Sequence, residues 1–129
     1  MRKGFTLLEL IIVIIIIGIL ATLGFTQYTK LVERGRTAEA KAILGSIRTA
    51  QQAYYLEHGD YTDSLNDLAV EAPLTCTSTH YFRYSTTKTG AVALRCIAGL
   101  GGKIPDAPTA YFIILTFADG AWAGSAGYY

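Results

Sequence analysis

The sequence predicts an α+β protein: one long N-terminal α-helix, half membrane-type and half amphipathic, packed on a small antiparallel β-sheet of three to four strands. Three observations predict it. Residues 10–21 are apolar without interruption, and the run reads on to Phe25. Ala40, Ile43, Leu44, Ile47, Ala50 and Tyr54 then repeat with the i, i+3, i+4, i+7 spacing of a helix that buries one face. Beyond Gly59 this period gives way to short β-type segments separated by glycine and proline.

Residues 5–25 would span about 31 Å as a helix at about 1.5 Å per residue, enough for the hydrocarbon core of a bilayer. Three readings compete for this stretch. It is a secretory signal removed after the apolar run, with Thr22-Leu23-Gly24 as a poor cleavage site; or a plain signal anchor; or an anchor exposed by a cut ahead of the run. Arg2 and Lys3 on one side are matched by Lys30, Arg34 and Arg36 on the other, diluted by Glu33, so flanking charge leaves the orientation open. One carboxylate, Glu9, lies at the start of the run. A charge costs about 2.5–3.5 kcal/mol at the centre of a membrane helix and less toward an end. A bare anchor gains nothing from it, so Glu9 asks for a partner.

The amphipathic stripe continues the helix to His58, with Glu33, Arg36, Lys41 and Arg48 elsewhere on its circumference and Gly59 as the stop. Gly18, Gly24 and Gly35 are its weak points, each costing about 1 kcal/mol relative to alanine. Ser64 is placed to cap a short helix over 65–68, with Pro73 beyond it. Residues 81–87 and 91–98 read as strands joined by Lys88-Thr89-Gly90. Gly99, Gly101, Gly102, Pro105 and Pro108 mark a loop, and 111–118 is a strongly apolar strand. Asp119-Gly120 reads as a two-residue hairpin turn, a register that sets Phe117 opposite Trp122, and 124–129 reads as loop.

Composition narrows the function. A formal net charge of +1 in 129 residues argues against direct nucleic-acid binding. Thirteen glycines and nine tyrosines against one methionine suit a β-rich exported domain. Cys76 and Cys96 form no CxxC and have no histidine cluster beside them. In an exported domain they pair as a disulfide, contributing about 3 kcal/mol by closing a loop of about twenty residues; the alternative is two buried thiols. His58 and His80 with Ser64, Ser78 or Ser85 show no catalytic spacing, so no enzyme, catalytic residue or cofactor is expected. Asp106 and Asp119 are too sparse for a calcium loop, and no metal site is assigned.

Lys3-Gly4-Phe5-Thr6-Leu7-Leu8-Glu9-Leu10, with the apolar run behind it, resembles the class III signal of type IV prepilins and pseudopilins. Tyr55-Leu56-Glu57-His58-Gly59-Asp60-Tyr61-Thr62-Asp63-Ser64-Leu65 resembles that family's junction between helix and head. The resemblance implies a leader at 1–4, a membrane and filament-core helix at 5–27, an amphipathic half at 28–58 and a globular head at 59–129. It implies that a prepilin peptidase cuts between Gly4 and Phe5, that Phe5 is N-methylated, and that Glu9 pairs with the positive N-terminus of a neighbouring subunit. The implied function is that of a structural subunit polymerising into a type IV pilus for adhesion, motility or DNA uptake. A pseudopilin of a type II secretion system is the alternative, and a membrane-anchored binding domain the remoter one. The partners implied are further copies of the chain in a helical filament, the inner membrane before assembly, and the assembly platform with its ATPase. The head would lie in the periplasm before assembly and outside the cell after it. Two features depart from the family pattern. Thr26 stands where a proline is common, leaving Gly18 or Gly24 as the source of any flexibility, and the cysteine pair lies earlier than the familiar C-terminal loop.

Overall fold

The computed structural model describes residues 3–104, 107 and 109–128. Met1 and Arg2 of the leader, Asp106 of the calcium reading, Pro105, Pro108 and the terminal Tyr129 lie outside the described residues. The chain forms two compact units, residues 1–33 and 34–129. Helix α1, Leu7–His58, passes through both, beginning two residues later than Phe5 and ending where expected. Gly59 stops it at φ +77°, with its amide donating to the Tyr55 carbonyl at 2.8 Å.

In the first unit α1 is helical through Gly18 and Gly24, and the Thr22 hydroxyl donates to the Gly18 carbonyl at 2.9 Å. An 18-residue stretch of α1 has mean hydropathy 2.9 and none of it is buried inside the protein. By length and composition this is enough to cross a membrane.

In the second unit the sheet has four antiparallel strands in sequence order: β1 Phe82–Thr86, β2 Gly90–Arg95, β3 Phe112–Thr116 and β4 Trp122–Gly124. The expected α+β architecture is the one found. Alternation puts Phe82 and Tyr84 of β1, Ala91 and Ala93 of β2, and Ile113 and Leu115 of β3 on the inner face. Ala40, Leu44 and Ile47 of α1 complete that core, with Ile43, Ala50 and Tyr54 half-buried around it. The small side chains of Ala91 and Ala93 in β2 are fully buried in that core. Gly90 is required there: a Cβ would come within 2.8 Å of the Leu115 carbonyl oxygen.

Two local expectations are corrected. Ser64 precedes one turn of 3-10 helix, Leu65–Asp67, but its side chain makes no cap bond. The Thr62 hydroxyl does the work instead, accepting from the Ser64 amide at 3.1 Å and donating to Asp67 Oδ2 at 2.7 Å. The β3–β4 turn is longer than two residues, so Trp122 pairs with Leu115 and not with Phe117. Phe117 is drawn inward, 3% exposed, and its carbonyl accepts from Arg48 Nε and Nη2 at 3.2 and 3.1 Å. Asp119 Oδ1 accepts from the Ala121 amide at 2.9 Å and closes the turn. Burial of one more aromatic ring outweighs a tight two-residue hairpin.

Candidate functional site

Thr6-Leu7-Leu8-Glu9 has the form of a capping box, and the structure uses it as one. The first amides of a helix have no partner within it. Here the Thr6 hydroxyl oxygen accepts from the Glu9 amide at 3.2 Å, while Glu9 Oε2 accepts from the Thr6 amide at 2.8 Å and the Thr6 hydroxyl at 2.9 Å. Glu9 lies in the first turn of α1, at the positive end of the helix dipole. Glu9 therefore has a partner in its own chain, which corrects the expectation that a lone anchor gains nothing from this residue. Thr6 was missed in the sequence reading, although its spacing from Glu9 carried the signal. Among the described residues only Oε2 is engaged, which leaves Oε1 open to a further donor.

Gly4 and Phe5 precede the helix without regular secondary structure, and both are exposed, Phe5 by 91%. A Cβ built on Gly4 would meet nothing within 4 Å, so the glycine answers to no packing need in this chain. The peptide bond between Gly4 and Phe5 lies outside every backbone hydrogen bond of α1, whose first one runs from the Leu10 amide to the Thr6 carbonyl at 3.3 Å. Cutting it would spare the capping box, because the Thr6 amide belongs to the next peptide bond.

Cys76 and Cys96 lie in the other unit, joined as a disulfide with Cα atoms 5.9 Å apart. The bridge sits beside β1 and β2: the Cys96 amide donates to the Tyr81 carbonyl at 3.0 Å, and buried Arg95 donates through Nη1 to the carbonyls of Tyr81 and Cys96 at 3.0 and 3.1 Å. Gln51 is the other polar residue of the head that sequence reading missed. It is fully buried on the core face of α1. Its Nε2 donates to the Thr62 carbonyl at 2.7 Å and the Thr86 hydroxyl at 3.0 Å, and its Oε1 accepts from the Thr62 amide at 3.0 Å. The residues weighed for catalysis are engaged locally: His58 stacks on Tyr54 at 4.0 Å, and the His80 ring bonds the Thr79 hydroxyl at 2.8 Å.

Comparison with known proteins agrees with this division. Residues 1–25 match the prokaryotic N-terminal methylation motif, and residues 37–99 match the type IV pilin-like G and H family. The chain is 34% identical over 105 residues to a type IV major pilin protein PilE1 of Neisseria gonorrhoeae, covering 81% of this chain and 64% of that one. It is 41% identical over 67 residues to the type IV major pilin protein PilA of Myxococcus xanthus, covering 52% of this chain and 30% of that one. It is 45% identical over 58 residues to the fimbrial protein EcpC of Eikenella corrodens, covering 45% and 38%. The chain spans between 30% and 64% of the length of these relatives. With the methylation motif and the pilin-like region matched in order along one chain, this protein is similar to type IV pilins from its N-terminus through residue 99.

Proposed function

We propose that the chain is a polymerising subunit of a type IV pilus, made as a membrane-anchored precursor. In this reading a prepilin peptidase hydrolyses the bond between Gly4 and Phe5, the new amine of Phe5 is methylated, and 5–27 becomes the filament-core helix. Residues 28–58 then carry the head, 59–129, outside that core. The assembly platform with its ATPase extracts the subunit from the inner membrane, and the head passes from the periplasm to the cell surface. Adhesion, motility or DNA uptake would follow from the filament, with no catalysis by the subunit.

The observation that carries the reading is the start of α1. Glu9 is held by Thr6 through one oxygen and offers the other beside an exposed Phe5. A protonated N-methylamine on a neighbouring subunit is a fitting donor for that oxygen. In a water-excluded filament core, an unpaired carboxylate is strongly unfavourable and a paired one fixes register. The relatives named as major pilins support a pilus ahead of a secretion pseudopilus. Glu9→Ala tests the pairing: the variant is processed at Gly4–Phe5 but enters no filaments. Wild-type filament yield from processed Glu9→Ala protein would refute it.

A further inference from the structure

The head carries two complementary surfaces that its own fold keeps apart. At the end of α1, Leu56 is 85% exposed, a large apolar side chain with nothing over it. Next to it Glu57 is exposed, and among the described residues it has no ion-pair or hydrogen-bond partner. Glu57 lies in the last turn of the helix, where the dipole disfavours a carboxylate, so local helix stability does not account for it.

The second surface is on the outer face of the sheet. Register aligns Arg83, Leu94 and Phe112 across β1, β2 and β3, and Ser85, Val92 and Ile114 in the next row. Leu74, Val92, Leu94 and Phe112 line a hollow of about 290 Å³ together with Arg83, Tyr84 and Ser85. Apolar cavities of about 150 Å³ hold a benzene, so the hollow has room for one branched aliphatic side chain. Leu74 and Phe112 are 49% and 40% exposed, and Arg83, like Glu57, has no partner among the described residues.

We infer that Leu56 of one copy seats in this hollow on a second copy, with Glu57 pairing to Arg83. The inference rests on the filament reading above and names a contact between heads within it. The helix covers the inner face of the sheet and the hollow opens on the outer face, so a chain cannot fill its own hollow. Knob and hollow are different surfaces of the same chain. Such a contact is heterologous, and unless its rotation closes a ring it propagates as an open helical polymer. An acid beside the knob and a base beside the hollow, each unpaired, select one orientation and oppose the reverse.

The test uses the full chain in sheared filaments from its own cells. Both native cysteines are taken up by the disulfide. Leu56→Cys with Val92→Cys should therefore cross-link on oxidation into dimers, trimers and higher species, while either single variant runs as monomer. Double-variant filaments at wild-type yield with no ladder, or with Leu56→Cys joined to a different protein, overturn the contact and leave the filament reading standing. Absence of the wild-type chain from sheared filaments overturns that reading, and this contact with it. Should the cysteine variant not assemble, charge reversal decides. Glu57→Arg and Arg83→Glu should each lower filament yield about tenfold, and the two together should restore it. Single reversals without loss, or no restoration in the pair, overturn the contact.

Discussion

At Thr6 one hydroxyl serves the helix start twice, accepting from the Glu9 amide and donating to the Glu9 carboxylate. Thr6→Val keeps the shape and removes both bonds, a loss of about 1 kcal/mol at an N-terminal cap. The expected result is amide hydrogen exchange about fivefold faster at Glu9 in detergent; unchanged exchange would remove the cap from the account. Gln51 matters in the same way inside the head. Gln51→Leu leaves the Thr62 amide and carbonyl and the Thr86 hydroxyl without their buried partner. This should cost about 2–3 kcal/mol and lower the thermal midpoint by about 10 °C or more. A shift under about 3 °C would show that the network contributes little. Thr6 stood in a legible motif whose capping role was missed, and Gln51 did not stand out at all. A glutamine on an apolar helix face reads as an interruption until Thr62 and Thr86, 11 and 35 residues away, are seen to meet it.

Among the elements, α1 was the most legible because its signals are local. The stripe through Ala40, Leu44 and Ile47 and the stop at Gly59 need only neighbours in sequence. The β3–β4 register was less so, because Phe117 is drawn out of the hairpin by the core and by Arg48, 69 residues earlier. Gly124 fixes that hairpin: its φ is +151°, and a Cβ would approach the Phe112 carbonyl oxygen to 2.3 Å. Gly124→Ala should cost about 2 kcal/mol and free the Ser125 amide, which now donates to the Phe112 carbonyl at 3.0 Å. Full retention of protection at Ser125 would contradict this. The loop after α1 is tied to the β1–β2 turn by the Lys88–Asp60 ion pair and by the Lys88 amide on Asp63 at 2.9 Å. Hydrogen bonding from Lys88 lowers the Asp60 carboxyl, and the same bond raises Lys88. The carboxylate's contribution is present above the pKa of an unfolded aspartate, about 3.9, and is lost as pH falls through its lowered folded value. The lysine's is present below about 10.4 and lost as pH rises through its raised folded value. The difference in thermal midpoint between wild type and Lys88→Met should therefore be widest between about pH 4 and 10 and fade on either side. Both groups are exposed, so the effect is small. A difference independent of pH would assign it to the lysine's packing instead.

For the whole molecule, the division of labour follows from composition along the chain. By length and composition an 18-residue stretch of α1 can cross a membrane, and none of that stretch is buried within the protein; the second unit has its own core and a disulfide. Replacing Cys76 and Cys96 by serine should lower the stability of the head by about 3 kcal/mol while leaving processing at Gly4–Phe5 untouched. The fold class was readable from periodicity along the chain, and the cysteine pairing from two cysteines in a domain read as exported. The proposed contact through Leu56 and the sheet hollow was not, since a hollow exists only once three strands are in register. In the proposed function this chain is cut ahead of Phe5 and then polymerises. Intact-mass and N-terminal fragment spectra of the protein in sheared surface filaments test it most directly. The expected chain begins with N-methylated Phe5. A filament fraction without this protein, or a chain beginning at any other residue, would contradict it.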